Sequence, residues 1–133
     1  MTPPPLQTIA LPPIKMTRAD PTPDMIATLA PGFQPYAVWL ITQLRQAGLP
    51  AIITSAKRSY LEQVGHVISG ASQTTASKHI DGLAFDIDMA GYAPASVPTS
   101  VWRFAGGLGE SVGMVWGGRW VRLRDFRHFE MPK

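Results

Sequence analysis

Between Tyr36 and Ala47 the apolar residues Tyr36, Val38, Trp39, Leu40, Ile41 and Leu44 fit a buried helix, and Gly48 stands where such a helix stops. Ala51-Ile52-Ile53-Thr54 is short and apolar, which predicts a buried strand. Ser59 is an N-cap candidate for a helix beginning near Tyr60, with Glu62 in its first turn, where a carboxylate favours the helix dipole. That helix fades at Ser69-Gly70, and the small polar residues from Ala71 to Lys78 read as a loop. From Leu83 to Asp88 the period is two: Leu83, Phe85 and Ile87 alternate with Ala84, Asp86 and Asp88, as on a strand with one apolar face. After the connection Gly91-Tyr92-Ala93-Pro94, Thr99 or Ser100 caps a helix through Val101, Trp102, Phe104 and Leu108 toward Gly113, with Gly106-Gly107 weakening its middle. Met114-Val115-Trp116 reads as a strand, Gly117-Gly118 as a tight turn, and Arg127-His128-Phe129-Glu130 as a closing strand.

Proline changes the reading of the N-terminal quarter. Nine of the 13 prolines lie within residues 1–35, and proline fixes φ and removes a backbone donor. An extended surface arm is expected there, with at most a short helical turn from Asp24 to Ala30 before Pro31-Gly32. The expected organisation is therefore an arm over residues 1–35 and one domain over 36–133.

With 45% hydrophobic and 16% charged residues, the chain has the composition of a globular protein. No apolar run approaches the roughly 18 residues that cross a bilayer, so membrane insertion is not expected. The first residues, Met1-Thr2-Pro3-Pro4-Pro5, lack the basic and apolar regions of a secretory signal. There is no cysteine, so any metal must be held by histidine and carboxylate, and thiolate chemistry is excluded. Five arginines (Arg103, Arg119, Arg122, Arg124 and Arg127) give the C-terminal part a basic character that suits an anionic cell wall or a merely solvated face. No nucleic-acid-binding motif accompanies them.

Two clusters carry the candidate chemistry. Ser77-Lys78-His79-Ile80-Asp81-Gly82-Leu83-Ala84-Phe85-Asp86 is answered by Asp125-Phe126-Arg127-His128-Phe129-Glu130. His79, Asp86 and His128 supply two imidazoles and a carboxylate, and three protein ligands leave a tetrahedral metal one open position, as in catalytic zinc sites. Taken singly, His79 reads as a loop residue and Asp86 as a solvent-facing strand residue. Asp125 alone reads as a cap or as a salt-bridge partner of Arg124 or Arg127. His66, inside the predicted helix from Tyr60, has no matching partner and reads as a non-ligand.

Together these residues resemble a known family. Ser-x-His-x-x-Gly-x-Ala-x-Asp followed by Asp-x-x-His-Phe-Glu is similar to the zinc peptidases that include phage L-alanyl-D-glutamate endopeptidases and D-Ala-D-Ala carboxypeptidases. Ser55-Ala56-Lys57-Arg58-Ser59 with Glu62-Gln63, and Gly113-Met114-Val115-Trp116-Gly117-Gly118-Arg119-Trp120, extend the resemblance over residues 36–131. Lys57 departs from it, standing where the family usually carries an aromatic residue.

The resemblance implies an α+β fold of the Hedgehog and DD-peptidase kind, a small antiparallel sheet carrying the zinc site and helices covering one side. It implies His79, Asp86 and His128 as Zn2+ ligands, Asp125 as general base, and Arg58 as a substrate contact that steadies the oxyanion. Gln63, Ser77 and Trp120 are further substrate-binding candidates, and Glu130 a supporting residue behind a ligand. Trp102, Trp116 and Trp120 are open between groove and core.

The function implied is zinc-dependent cleavage of the peptidoglycan stem peptide, at L-Ala–D-Glu, by a phage or prophage endolysin. Such an enzyme is expected as a monomer in the host cytoplasm before release to the wall. The alternatives are a D-Ala-D-Ala carboxypeptidase or dipeptidase with the same zinc site, and a non-catalytic wall-binding module.

Overall fold

In the computed structural model, which describes residues 20–57, 78–121 and 123–132, the most buried strand is the one the alternation singles out. The described elements are α1 (Thr22–Thr28), α2 (Gln34–Gln46), β1 (Ala51–Ser55), β2 (Ala84–Met89), α3 (Thr99–Ser111), β3 (Val115–Trp116) and β4 (His128–Glu130). The strands form one sheet in the order β1-β2-β4-β3, antiparallel throughout, with β2 and β4 at its centre. The expected α+β architecture is what the chain adopts.

Register decides what each face of the sheet carries. Phe85 lies opposite Phe129, and Asp86 lies opposite His128. Successive residues point to opposite faces, so one face takes the phenylalanines and the other takes the carboxylate and imidazole. The rings of Phe85 and Phe129 stack at 5.7 Å, and Phe33 approaches Phe85 at 5.4 Å. Leu40, Leu44, Ile53, Ile87 and Val101 complete this fully buried core beneath α2 and α3. The polar face of β2 was expected to be open, yet Ala84 and Asp86 are buried as well. A central strand that carries the polar cluster is covered on both sides.

The boundary expected at residue 35 falls inside the packed body. From residue 20 onward the chain packs on the domain: the short helical turn expected from Asp24 to Ala30 is present as α1, beginning two residues earlier, with proline confined to its first turn, where no backbone donor is needed. Thr22 Oγ1 accepts the Ile53 amide at 2.9 Å, and Arg45 joins Asp20 at 2.6 Å and the Ala51 carbonyl at 2.9 Å. Phe33 is completely buried. Helix α2 starts at Gln34, two residues before the apolar pattern begins, because Pro35 is tolerated in a first turn.

Helix α3 differs from expectation in its start and agrees in its extent. Neither Thr99 nor Ser100 caps it; Pro98 occupies the cap position without a side-chain bond. Its glycines are there for contact. A Cβ on Gly106 would lie 2.2 Å from the Trp116 ring, and one on Gly109 would lie 2.7 Å from Phe129. The helix accepts a propensity cost of about 1 kcal/mol per glycine and gains close seating on β3 and β4. Among the described residues no helix is long and apolar enough to cross a membrane. The predicted helix from Tyr60 and the loop from Ala71 to Ser77, with His66, lie outside the described residues.

Candidate metal centre

Asp86 comes from the middle of β2, His128 from the first residue of β4, and His79 from the turn that leads into β2. All three are buried, with exposures of 8%, 7% and 2% respectively. Their inward atoms form a nearly equilateral triangle. His79 Nε2 is 3.2 Å from His128 Nδ1 and 3.4 Å from Asp86 Oδ1, and His128 Nδ1 is 3.3 Å from Asp86 Oδ1.

The outer nitrogens explain why these atoms point inward. His79 Nδ1 donates to the Ala56 carbonyl at 2.7 Å, at the end of β1. His128 Nε2 donates to Glu130 Oε1 at 2.9 Å. Each outer bond fixes how its ring is turned and leaves the inner nitrogen facing the common centre. Lys78 holds the other Glu130 oxygen at 3.2 Å and also donates to the Met131 carbonyl at 2.9 Å.

Two ring nitrogens and a carboxylate oxygen converging in a buried space call for positive charge. Burial disfavours charge on His128, but hydrogen bonds to Asp86 and Glu130 outweigh it and raise its pKa to about 9. Burial likewise opposes ionisation of Asp86, while hydrogen bonds from His128 and His79 hold its carboxyl well below the usual range. A divalent cation satisfies the same demand. Tetrahedral zinc with bonds of about 2.0–2.1 Å spaces its donors about 3.3–3.4 Å apart, which is the spacing these residues have. The donor set fits a metal.

Asp125 and His128 are joined by a turn, the His128 amide donating to the Asp125 carbonyl at 3.3 Å. Burial first, and then the Asp86 charge, raise the Asp125 carboxyl above its ordinary value. A half-buried carboxylate beside the cluster with a raised pKa is suited to proton transfer. The Arg127 backbone amide donates to Asp125 Oδ1 at 3.0 Å. Of the two readings open to Asp125 taken alone, the salt bridge is not made: Arg124 bonds the Trp120 carbonyl and the Arg127 guanidinium bonds Asp88.

Gly117 lets this turn approach. A Cβ there would lie 2.5 Å from the Asp125 carbonyl oxygen and 3.0 Å from the His128 Cβ. The half-buried Trp120 sets its ring 4.8 Å from the His128 ring, at the edge of the cluster. Trp102 and Trp116 are core residues, each 3% exposed. Arg58, Gln63 and Ser77 lie outside the described residues.

Residues 70–131 match the family model described as D-alanyl-D-alanine carboxypeptidase, a stretch that includes His79, Asp86, Asp125 and His128. The crystal structure of the Serratia marcescens L-Ala D-Glu endopeptidase ChiX is similar at 25% identity and TM-score 0.64, covering 83% of this chain and 85% of that one. Over residues 70–131, the stretch that carries the metal cluster, this chain is similar to that peptidase family. The peptidase also shares its fold with the vancomycin resistance D,D-pentapeptidase VanY of a VanB-type cassette, solved as a mutant in complex with Zn(II). That match has 18% identity and TM-score 0.60, covering 79% of this chain and 73% of the other. No curated protein sequence matches the peptidase. It is an enzyme of peptidoglycan peptide hydrolysis.

Sequence reasoning placed the three converging side chains of the peptidase and named Glu130 behind a ligand, but missed the other supports. The Ala56 carbonyl carries no side-chain signal. The Lys78–Glu130 pair and the contact of Arg127 with Asp88 join residues distant in sequence, and only strand register brings them together.

Proposed function

We propose that the protein is a zinc-dependent L-alanyl-D-glutamate endopeptidase acting on the stem peptide of peptidoglycan. The observation that carries this reading is the triangle of His79 Nε2, Asp86 Oδ1 and His128 Nδ1, with Asp125 in the adjoining turn. Its likeness to ChiX over most of both chains favours the L-Ala–D-Glu bond.

His79, Asp86 and His128 would hold the zinc. When bound, zinc supplies a Lewis acid for the scissile carbonyl and increases the acidity of water at the site. Asp125 takes a proton from the attacking water and returns it to the departing amine, a role its raised pKa suits. Arg58 is assigned to the developing oxyanion and, with Gln63, Ser77 and Trp120, to the substrate. The Trp120 ring beside His128 offers an apolar wall against which a stem-peptide side chain would rest.

We assign the enzyme to lysis: a phage or prophage endolysin that collects in the host cytoplasm and then reaches the wall. This assignment rests on the resemblance to the endopeptidases of phage lysis systems.

The second reading is a D-Ala-D-Ala carboxypeptidase, favoured by the description of the matching family model. Digestion of purified sacculi, followed by mass analysis of the products, separates the two. Release of the stem beyond L-Ala supports the endopeptidase, and loss of terminal D-Ala alone supports the carboxypeptidase. Cleavage must stop with a chelator and return with zinc; sacculi left intact by zinc-loaded protein would overturn both readings.

A further inference from the structure

Behind the metal cluster, one cation ties together three parts of the chain that sequence keeps apart. The Arg127 guanidinium bonds Asp88 Oδ2 at 2.7 Å and lies 3.4 Å from Thr54 Oγ1, and its Nε donates to the Ile87 carbonyl at 3.2 Å. Thr54 itself donates to the same Asp88 oxygen at 2.8 Å. Thr54 lies where the β1–β2 register shifts, between Ile53 and Ser55. The Arg127 main chain belongs to the same device: its carbonyl accepts the Ile87 amide at 2.9 Å, and its amide donates to Asp125 Oδ1 at 3.0 Å.

We propose that Arg127 is a positioning residue, whose guanidinium, gripped by Asp88 and Thr54, anchors the turn that presents the Asp125 carboxylate. The inference rests on the metallopeptidase reading for its consequence in catalysis, and on geometry alone for the clamp. The hydrogen bonds of the Arg127 side chain go to Ile87, Thr54 and Asp88 and not to the three converging side chains, so it acts through its neighbour. Asp88 is two residues beyond Asp86 on β2, and Arg127 immediately precedes His128, so the clamp fixes the turn against the strand that carries a ligand. Half-burial favours one held geometry: the Asp88 side chain is 17% exposed and that of Arg127 35%. A planar guanidinium reaches carboxylate, hydroxyl and carbonyl at once, which an ammonium does not.

The test compares Arg127→Met, Arg127→Lys and Asp88→Asn with the wild type, all zinc-loaded. Amide hydrogen exchange at position 127 reads the clamp directly, whether or not the protein cuts a given substrate. Exchange there should quicken at least about tenfold in Arg127→Met and Asp88→Asn, while the β1–β2 amides keep their protection. Unchanged exchange at position 127 overturns the proposal.

On muropeptide substrates, kcat should fall about tenfold to a hundredfold with KM and zinc content unchanged, since a misplaced base slows the chemical step. Arg127→Lys should recover only part of the loss. In an Asp125→Ala background the Arg127→Met change should cost nothing further; an equal loss in both backgrounds assigns Arg127 to general stability and overturns the positioning role. If zinc-loaded wild type cuts no peptidoglycan, the metallopeptidase reading fails, and the exchange result still decides the clamp.

Discussion

His79 and His128 present different ring nitrogens to each other, Nε2 of the first lying 3.2 Å from Nδ1 of the second. The choice is made from outside the cluster, by the Ala56 carbonyl behind one ring and Glu130 behind the other. Two acceptors so placed leave both inner nitrogens facing the common centre. Glu130 is therefore part of the metal centre without touching its interior. Glu130→Ala should weaken zinc binding by about 10–100-fold, the usual cost of removing a partner behind a ligand. Competition with a chelator of known affinity measures it; an unchanged affinity would remove Glu130 from the site.

Removing an interior donor should have a different effect. Asp86→Ala takes away one of three donors and leaves two imidazoles without their counter-charge. Zinc stoichiometry should fall well below one per chain and sacculus cleavage should be lost. Metal analysis after gel filtration gives the first result and turbidity of a sacculus suspension the second. Full zinc content in this variant would show that Asp86 is not a ligand.

The cluster was legible because its three side chains are types that bind metal and their order follows a known pattern. The fold was legible where periodicity was strong: β2 in its alternation, α2 in its apolar stripe with Gly48 behind it at φ 87°. What was not legible has a common cause in tertiary contact. Composition made residues 1–35 look like an extended surface arm, yet Thr22 finds the β1 backbone and Phe33 finds Phe85, partners that no local pattern announces. Gly106 looked like a flaw in a helix until Trp116 was found against it. Arg127 looked like a partner for Asp125 and is instead, through its side chain, a partner for Asp88.

Gly117 tests how closely the turn must seat. Gly117→Ala drives a Cβ to 2.5 Å from the Asp125 carbonyl oxygen, which is backbone and yields poorly. The expected loss is about 1–3 kcal/mol, as for other overpacked sites. Thermal melting gives the stability, and the activity of the folded fraction should fall further because Asp125 and His128 move. A variant with wild-type stability and rate would show that the turn has room to shift.

Asp125 separates metal binding from chemistry. Asp125→Ala should keep one zinc per chain and cut cleavage about a hundredfold to ten-thousandfold, to a residual rate, since in the proposed mechanism the carboxylate serves the proton and not the ion. Burial first, and then the Asp86 charge, raise the Asp125 pKa; a cation held by Asp86 would offset the second cause and leave the first, burial. The acid limb of kcat/KM should therefore lie above the ordinary carboxylate range. A limb at or below that range would assign the rate-limiting ionisation to another group.

The most direct check of the centre is the proton that zinc must displace. Burial opposes charge on His128, but the Asp86 and Glu130 carboxylates raise its pKa to about 9. After chelator treatment the ring carries a proton below that pH, and zinc must remove it to reach Nδ1. Apparent zinc affinity should therefore rise with pH, by about tenfold per unit below pH 9, and level off above it. The same raised pKa makes a stability statement for the chelated protein. The folded value exceeds the unfolded one, so His128 contributes stability that is complete below about pH 6.5 and lost as pH rises through about 9. Zinc-loaded protein should lack this loss, because the ion replaces the proton. Isothermal titration across pH, paired with melting curves of chelated and zinc-loaded samples, measures both effects; melting curves that fall together from pH 6.5 to 9 would mean that proton and metal do not share the His128 lone pair.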